Sequence, residues 1–269
     1  MKKNNKYDEI IEKISELKKG DILCITSDII PLVLNFRKHK ETFDPNKLID
    51  AIIKKIGKGG TLLLPSFNWD FCKGKKYDYL KSPPQTGSLP SIVFKRKDFK
   101  RTKHPIYSFL VWGKDQKFLC DLKNKSGWGY KSPFWYFHKF KAKQLFIGLD
   151  YKNGFTFMHY PEEKLGTDFR FLKNFSAPYS DKNGKVKILT YQMNVKDLSK
   201  GVDCYVNPKL DGVLIKNKAY FRYKINNTYF GLVDLGISGD ILEKELKLKS
   251  NFLIYTKEIA KLNKKIIKN

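Results

Sequence analysis

The sequence of 269 residues contains no apolar run long enough to cross a bilayer. Its longest apolar runs are short segments such as residues 22–25 and 61–64, and the lysine-rich start continues into Tyr7-Asp8-Glu9 instead of an apolar signal core. We therefore expect a protein that does not enter a membrane and that resides in the cytoplasm.

Cysteine is also scarce. The four cysteines are widely spaced and form no Cys-x-x-Cys pair; they are Cys24, Cys72, Cys120 and Cys204. Neither a zinc knuckle nor a disulfide framework is indicated, so we expect reduced thiols and no bound metal. A Gly-x-Ser-x-Gly nucleophile elbow is absent as well, which argues against a hydrolase that uses a serine nucleophile.

Acidic residues are few, with 27 Asp and Glu against 53 Lys and Arg, and the formal net charge is +26. Compositional drift can produce such a charge, because Lys, Asn and Ile are abundant. The resulting field nevertheless attracts polyanions and repels polycations. The lysines extend from Lys2 to Lys268 without a basic arm, a zinc finger or an aromatic RNA-binding signature. The charge therefore favours a small phosphate-bearing partner. Nucleic acid is the less favoured partner.

The first half of the chain alternates between helical and strand patterns. An amphipathic helix is predicted over residues 7–19, a buried strand over 21–26, a second helix from Pro45, and a strand over 61–65. Two strands joined through a helix form a βαβ unit, which predicts parallel strands. The glycine-rich turn at 57–60 precedes a strand, so it indicates a helix C-cap and not a phosphate loop.

Further along, the pattern predicts a long loop, then short elements. The predicted elements are a loop over residues 67–90, a helix over 88–94, strands over 106–112, 186–193, 212–215, 219–225 and 228–235, and helices over 240–248 and 257–267. We expect one α/β domain over residues 1–269, with a mixed sheet, flanking helices and a β-rich, partly antiparallel C-terminal half. Its antiparallel portion should lie at about residues 175–235.

A His-x-x-Glu sequence, His159 to Glu162, follows an apolar strand predicted over residues 144–149. Ligands gather at the carboxyl ends of strands in open α/β sheets, and an imidazole beside a carboxylate can act as a general base with its orienting partner. Pro161 fits poorly in a helix interior, so a helix could begin there instead. The carboxylate that faces the ring is then either Glu162 or Glu163.

Several separated segments match the patterns of one family in order. They are residues 20–28, residues 60–67 (Gly-Thr-Leu-Leu-Leu-Pro-Ser-Phe), residues 82–90, His104-Pro105-x-x-Ser108, Ser132-Pro133-Phe134, Thr156-x-x-His159-x-x-Glu162 and Arg170-x-x-Lys173. In these motifs the chain resembles the aminoglycoside 3-N-acetyltransferase family, a group of coenzyme A-dependent N-acyltransferases. It departs from the family pattern at Pro84, Thr86, Tyr107 and Phe155, which concerns the acceptor more than the reaction class.

The resemblance implies N-acyl transfer from acetyl-CoA or another acyl-CoA, with His159 as general base and Glu162 or Glu163 as its partner. It implies that Thr26, Ser27, Ser66, His104 and Ser108 contact the coenzyme, although Ser and Thr also cap turns in any protein. Acceptor contacts are expected from Thr156, Asp70, Arg170 and Lys173. The basic run Lys95, Arg96, Lys100, Arg101 and Lys103 could meet the coenzyme phosphates.

The charge balance bears on the acceptor. Aminoglycosides are polycations, which a protein of charge +26 repels, whereas an amino sugar linked to a nucleotide is anionic. We therefore expect a nucleotide-linked amino sugar, used in surface glycan synthesis. The alternatives are an aminoglycoside 3-N-acetyltransferase of antibiotic resistance and, outside enzymology, a basic nucleic-acid-binding protein.

Overall fold

The computed structural model of the protein describes residues 5–200, 202–203, 206–207, 209–248 and 255–256. The helices within them are α1 (Lys6–Glu12), α2 (Ile30–Lys38), α3 (Pro45–Ile56), α4 (Ser88–Val93), α5 (Gln116–Asp121), α6 (Pro133–Lys139), α7 (His159–Leu165), α8 (Leu210–Lys216) and α9 (Leu235–Lys247). The strands are β1 (Ile22–Ser27), β2 (Thr61–Pro65), β3 (Tyr77–Asp78), β4 (Lys100–Arg101), β5 (Phe109–Gly113), β6 (Lys143–Ile147), β7 (Arg170–Ser180), β8 (Val186–Lys196), β9 (Val202–Asp203), β10 (Tyr220–Ile225), β11 (Thr228–Asp234) and β12 (Tyr255–Thr256). Short 3₁₀ helices occupy Trp69–Lys73, Tyr151–Asn153, Thr156–Met158 and Leu198–Lys200.

Seven strands form a mixed sheet in the order β10-β11-β6-β1-β2-β5-β4. The three central strands are parallel, because β1 pairs in parallel with both β2 and β6. The outer pairs β10–β11, β11–β6, β2–β5 and β5–β4 are antiparallel. The predicted βαβ unit and the mixed α/β architecture are confirmed.

Helix α3 connects the two parallel strands of that unit. The capping residues at its two ends determine where it begins and where it stops. The Asp44 carboxylate accepts a hydrogen bond from the backbone N–H of Asn46, which satisfies one of the free donors of the first turn. At the other end Gly57 has φ of +66°, and its N–H donates to the carbonyl of Ile53. The glycine turn is therefore a helix C-cap, as its position before a strand predicted.

The two faces of the sheet bury two separate cores. Leu23 and Ile25 of β1 face the apolar sides of α1 and α3, whereas Cys24, between them, faces a cluster rich in aromatic rings. Phe146 of β6 belongs to that aromatic cluster, together with residues that follow β6. The chain that leaves β6 is thus anchored on the aromatic face.

Beside this face, β7 and β8 form a long antiparallel hairpin, paired from Arg170 with Lys196 to Ser180 with Val186. Strand β3 adds to β7 in parallel, and Ser126 bridges to Gln192 of β8. The hairpin begins at residue 170, somewhat earlier than the antiparallel portion predicted at about 175–235. It brings the ends of β7 and β8 towards helix α7.

Several predicted elements differ from the observed ones. Residues 212–215, predicted as a strand, lie inside α8, because their apolar run fits one turn of a short helix as well as it fits a strand. The first helix ends at Glu12, the strand predicted from residue 106 begins at Phe109, and α9 begins at Leu235. Helix α2 and strand β7 have no counterpart in the prediction. The helix predicted at 257–267 lies outside the described residues, and the single-domain organisation stays a prediction.

Within the described ranges, every helix is too short or too polar to serve as a membrane span. The same ranges hold no group of three or more His, Cys, Asp or Glu side chains arranged to bind a metal ion.

Candidate active site

The path from β6 to helix α7 sets the position of His159. At Gly148, directly after β6, φ is +73°, and a Cβ there would lie 2.0 Å from the carbonyl oxygen of Asp28. Only glycine fits this close approach between the ends of β6 and β1. Two short 3₁₀ turns follow, and α7 then begins at His159 itself. The histidine therefore lies just beyond the carboxyl end of a central strand, as predicted.

Pro161 does not interrupt α7. It is the third residue of the helix, within the first turn, where backbone N–H groups have no intrahelical acceptor and the missing donor costs nothing. Residues 159 and 162 are therefore one helical turn apart on the same face. The uncertainty that Pro161 introduced into the choice of carboxylate is removed by this helix start.

His159 and Glu162 form a short hydrogen bond, with 2.7 Å between Nδ1 and Oε2. The Glu162 side chain is fully buried, whereas the His159 side chain is 22% exposed and lines a cavity. A carboxylate that accepts from Nδ1–H fixes the ring tautomer and leaves Nε2 with a free lone pair. The geometry is that of a base with its orienting group.

A second charged side chain meets the same carboxylate oxygen. The Nε atom of Arg170 lies 2.7 Å from Oε2 of Glu162, and the arginine side chain is only 5% exposed. The contact is an ion pair without a directed Nε–H bond, while Nη1 donates to the carbonyl of Asn194 at 3.0 Å. The buried carboxylate is thus compensated by a buried cation. Together, these side chains form the His159 site, which consists of His159, Glu162 and Arg170.

The cavity beside His159 has a volume of about 490 Å³. Its walls come from the segment before α7, from the ends of the β7–β8 hairpin and from two aromatic residues; the lining side chains include Lys152, Thr156, Met158, Met193, Asn194, Val195, Lys196 and Val206. Those two aromatic residues are Tyr107 and Trp128, whose ring centres are 4.5 Å apart, and Phe155 of the segment before α7 lines the cavity as well.

Trp128 was not predicted as a site residue. Its ring centre lies 4.9 Å from that of His159, edge to face. Its indole N–H is buried without a hydrogen-bond acceptor in the described part of the chain, although buried donors are normally paired. Nothing in the local sequence around residue 128 marks it, because its neighbour His159 is 31 positions away.

Glu163 turns away from His159 and towards the segment that carries Trp128. Burial raises the pKa of Glu163, opposed by hydrogen bonds from the Ser126 hydroxyl and the Trp128 backbone N–H. No contact between Glu163 and His159 is found in the described residues. Of the two carboxylates that the sequence left open, Glu162 is the one beside the ring.

Thr26, Ser27 and Thr156 lie near one another at the strand ends. Thr26 accepts a hydrogen bond from the Gln144 side-chain amide at 2.9 Å, and Thr26 and Thr156 line the same small internal cavity. Ser27 is half-buried at the last position of β1. Thr156 also lines the larger cavity beside His159. The coenzyme contacts of Thr26 and Ser27 and the acceptor contact of Thr156 stay predictions.

Ser66 and Ser108 are fully buried around Arg101, which is itself 4% exposed. The Arg101 guanidinium donates to the Ser66 hydroxyl at 2.6 Å, to the Ser66 carbonyl at 3.0 Å and to the Ser108 hydroxyl at 3.1 Å. It also donates to the carbonyl of Ser82. These groups satisfy one another and do not line the cavity beside His159. Arg101, expected to face coenzyme phosphates, is therefore part of the interior; Arg101, Ser66 and Ser108 are called the Arg101 cluster below.

His104 is buried to 1% exposure and holds a turn. Its Nδ1 accepts the backbone N–H of Tyr107 at 3.1 Å, and its Nε2 lies 3.3 Å from the carbonyl of Lys125. Burial lowers the pKa of His104 to about 3. A neutral imidazole with hydrogen-bond contacts at both nitrogens holds the turn in place. A coenzyme contact of His104 stays a prediction.

Asp70 and Lys173 lie away from the cavity beside His159. Asp70 is within 3.5 Å of Lys73 and 3.4 Å of Lys75, and Lys173 is exposed with its Nζ over the ring of Phe175. Neither lines the cavity wall. The structure thus brings His159, Glu162, Arg170 and Thr156 together but does not bring these two acceptor candidates to them.

The described cysteines are poor nucleophiles. Burial raises the pKa of Cys24 far above its usual value, that of Cys72 to about 11 and that of Cys120 to about 12. Because the thiolate is the reactive form, none of the three is poised for attack. Cys204 lies outside the described residues.

Comparison with known proteins gives one family. The model of the family described as aminoglycoside 3-N-acetyltransferase matches residues 38–227, well over half of the chain. No curated protein matches the sequence.

Solved structures share the fold. AAC-VIa with bound sisomicin has a TM-score of 0.73 at 18% identity, with 92% of this chain and 100% of that chain covered. AAC-IIIb with CoASH has a TM-score of 0.71 at 16% identity, with 91% and 96% covered. The YokD protein from Bacillus subtilis has a TM-score of 0.70 at 20% identity, with 89% and 92% covered. The chain therefore belongs to the aminoglycoside 3-N-acetyltransferase family, a family of N-acyltransferases.

Proposed function

We propose that the protein transfers the acetyl group of acetyl-CoA to an amine of an aminoglycoside, with His159 as the general base. The observation that carries this proposal is the 2.7 Å contact between His159 Nδ1 and a fully buried Glu162, in the wall of a cavity of about 490 Å³. A base with an open Nε2 and a buried orienting carboxylate is the equipment that amine acylation requires.

The chemical step follows from the tautomer of the ring. The acceptor nitrogen attacks the thioester carbonyl carbon, a C–N bond forms, and the proton of the amine passes to Nε2 of His159. The C–S bond then breaks, and coenzyme A leaves as a thiolate that takes the proton from the His159 imidazolium, which restores the neutral base. Glu162 stabilises the imidazolium that forms, because its carboxylate contacts Nδ1.

The family and its solved relatives support an aminoglycoside acceptor over a nucleotide-linked amino sugar. Two of the solved relatives are complexes with sisomicin or with a gentamicin, and no comparison supports a phosphate-bearing acceptor. The charge of +26 is a weak guide, because exposed charges are screened beyond roughly 10 Å in dilute salt. Near His159, moreover, Arg170 is paired with Glu162, and Lys152 is paired with Asp211 at 3.1 Å.

A substrate screen tests the acceptor. The purified protein is incubated with acetyl-CoA and either sisomicin, gentamicin or a set of nucleotide-linked amino sugars, and released coenzyme A thiol is measured. We expect turnover with the aminoglycosides and a mass increase of one acetyl group at an amine. Turnover of the nucleotide-linked sugars alone would contradict the acceptor and leave the reaction class intact.

A binding assay on the same purified protein tests the non-enzymatic alternative, a basic nucleic-acid-binding protein. Strong, salt-sensitive binding of nucleic acid without any affinity for coenzyme A would contradict the proposed reaction. The variant His159→Ala is the matched control in every assay, because it removes only the ring that lines the cavity. We expect it to retain coenzyme A binding and to lose acetyl transfer.

A further inference from the structure

Three side chains meet at one oxygen of Glu162. His159 Nδ1 and Arg170 Nε each lie 2.7 Å from Oε2, while Oε1 of the same carboxylate has no hydrogen-bond donor in the described residues. The carboxylate is fully buried. A buried ionised carboxylate is costly unless a cation compensates it, and Arg170 is the cation that does so here.

Arg170 is held in this position from two sides. Its backbone N–H donates to the carbonyl of Thr167 in the short connection after α7, and its Nη1 donates to the carbonyl of Asn194 on β8. The guanidinium is thus fixed between the helix that carries the base and the neighbouring strand. Little of it is left for solvent, since the side chain is 5% exposed.

The charges of the His159 site explain why an arginine is useful here. With a neutral imidazole, the charges of Glu162 and Arg170 cancel, and the buried pair is stable. When His159 accepts a proton, the carboxylate attracts the imidazolium and the guanidinium repels it. Arg170 therefore compensates the buried carboxylate and helps to fix the oxygen that meets the imidazole.

We propose that Arg170 is a positioning residue that acts on His159 through Glu162, and that it does not bind the phosphates of a substrate. This inference rests on the proposed role of His159 as base. The closest cationic alternatives for a ligand are Lys152 and Lys196, which line the cavity. Arg170 lines it too, but its Nε lies in ion-pair contact with Glu162 and its Nη1 donates to the carbonyl of Asn194.

Other ionisable groups surround the three residues and set the background for any pH effect. They come from the aromatic wall, the cavity rim, α7 and α9, and they are Tyr107, Lys152, Lys196, Glu163, Lys164, His138 and Glu243. Lys164 and His138 both contact Glu243, on the side of α7 packed against α9. Of these groups, Tyr107 is affected by Arg170 directly, because the arginine charge lowers the pKa of its hydroxyl against the larger effect of burial, which raises it.

The test compares Arg170→Met and Arg170→Lys with Arg222→Met, an exposed arginine on β10. For each variant, kcat, the KM for the aminoglycoside and the pH dependence of kcat/KM are measured. We expect Arg170→Met to lower kcat by about 10- to 100-fold, to change the acceptor KM by less than about threefold, and to displace the acidic limb of the profile, because the charges that face the imidazole change. Arg170→Lys should fall between Arg170→Met and the parent, and Arg222→Met should match the parent.

The kcat of a double variant at Arg170 and Glu162 gives a second readout. If Arg170 acts through Glu162, adding Arg170→Met to Glu162→Gln should lower kcat by less than about threefold beyond Glu162→Gln alone, since coupled residues are not additive. If Arg170→Met fails to fold, Arg170→Lys alone and combined with Glu162→Gln provides the same comparison.

Several results would overturn the inference. They are a raised acceptor KM with kcat and the pH profile unchanged, an acidic limb that stays in place, and additive losses in the double variant. A different result would contradict the proposed function. If His159→Ala is as active as the parent, the base assignment is wrong; if His159→Ala is inactive while Arg170→Met behaves like the parent, only the role of Arg170 is wrong.

Discussion

The Arg101 cluster and the His159 site are two buried polar groups built from similar parts. Both contain a buried arginine, and the sequence motifs nominated residues of both as functional. In the Arg101 cluster the guanidinium donates to two hydroxyls and two carbonyls, and its ring neighbours Phe94 and Tyr77 cover it. In the His159 site a carboxylate oxygen remains without a donor, and the imidazole faces a cavity.

The difference separates a structural role from a functional one. Polar groups that satisfy one another completely have nothing left to offer a ligand, and they stabilise the fold by fixing loops and strands. Polar groups that are paired on one side and open to a cavity on the other can take part in chemistry. Sequence motifs cannot distinguish these cases, because both require the same residue types.

The largest expected effect concerns the open site. His159→Ala should lower kcat by about 10³-fold, within the range for loss of a general base, because no other described side chain next to the cavity has the same lone pair. Steady-state release of coenzyme A measures it. The control His39→Ala changes an exposed histidine and should leave kcat unchanged. A kcat for His159→Ala within tenfold of the parent would contradict the catalytic role that separates the His159 site from the Arg101 cluster.

A smaller effect on a different quantity is expected from the closed cluster. Arg101→Met should lower the free energy of unfolding by about 3 kcal/mol, because the serine and carbonyl groups around it lose their buried donors. Urea unfolding at pH 7.5 measures it, with Arg222→Met as the exposed control. The kcat of the folded fraction should stay near that of the parent. A stable but inactive Arg101→Met would mean that the cluster serves catalysis after all.

His104 should make the fold sensitive to acid. Its pKa is about 3 in the folded protein against a usual value of 6.5, so the unfolded chain binds the proton first and stability falls as the pH drops from 6.5 towards 3. This group alone should contribute a loss of about 2 kcal/mol between pH 7.5 and pH 5. Urea midpoints at several pH values should show a shallower decline for His104→Gln. An identical decline in both proteins would contradict the assignment.

The smallest effect is expected at Glu163. Glu163→Gln should change kcat by less than about threefold, because burial already favours the uncharged acid and the amide keeps its shape. Glu162→Gln, one position earlier, should lower kcat by about 100-fold, since the imidazolium loses its carboxylate. Equal losses in the two variants would show that position along α7, and not the contact with His159, determines the effect.

The sequence predicted the parts of the molecule that depend on local pattern. The βαβ unit around α3 followed from periodicity, a capping aspartate and a glycine stop. The contact between His159 and Glu162 agrees with their spacing of three residues, and their catalytic roles stay predictions. Residues 212–215 were misassigned because a glycine followed by three apolar residues fits a strand and a helix turn equally well.

The rest depends on contacts between distant segments. Trp128 reaches His159 across 31 positions, and Asn194 receives Arg170 across 24 positions. The burial of Arg101 is equally invisible in a run of basic residues, where exposure is the usual outcome. The choice between Glu162 and Glu163 required the start of α7, because one residue of helix rotates a side chain by about 100°.

The most direct test of the account is the pH dependence of kcat/KM in the parent and in His159→Ala, measured with one aminoglycoside and saturating acetyl-CoA. The account predicts that the parent loses activity on the acidic side, and that the residual activity of His159→Ala lacks that part of the decline and retains only the titration of the acceptor amine. An acidic decline of the same position and steepness in both proteins would contradict the assignment of His159 as the base.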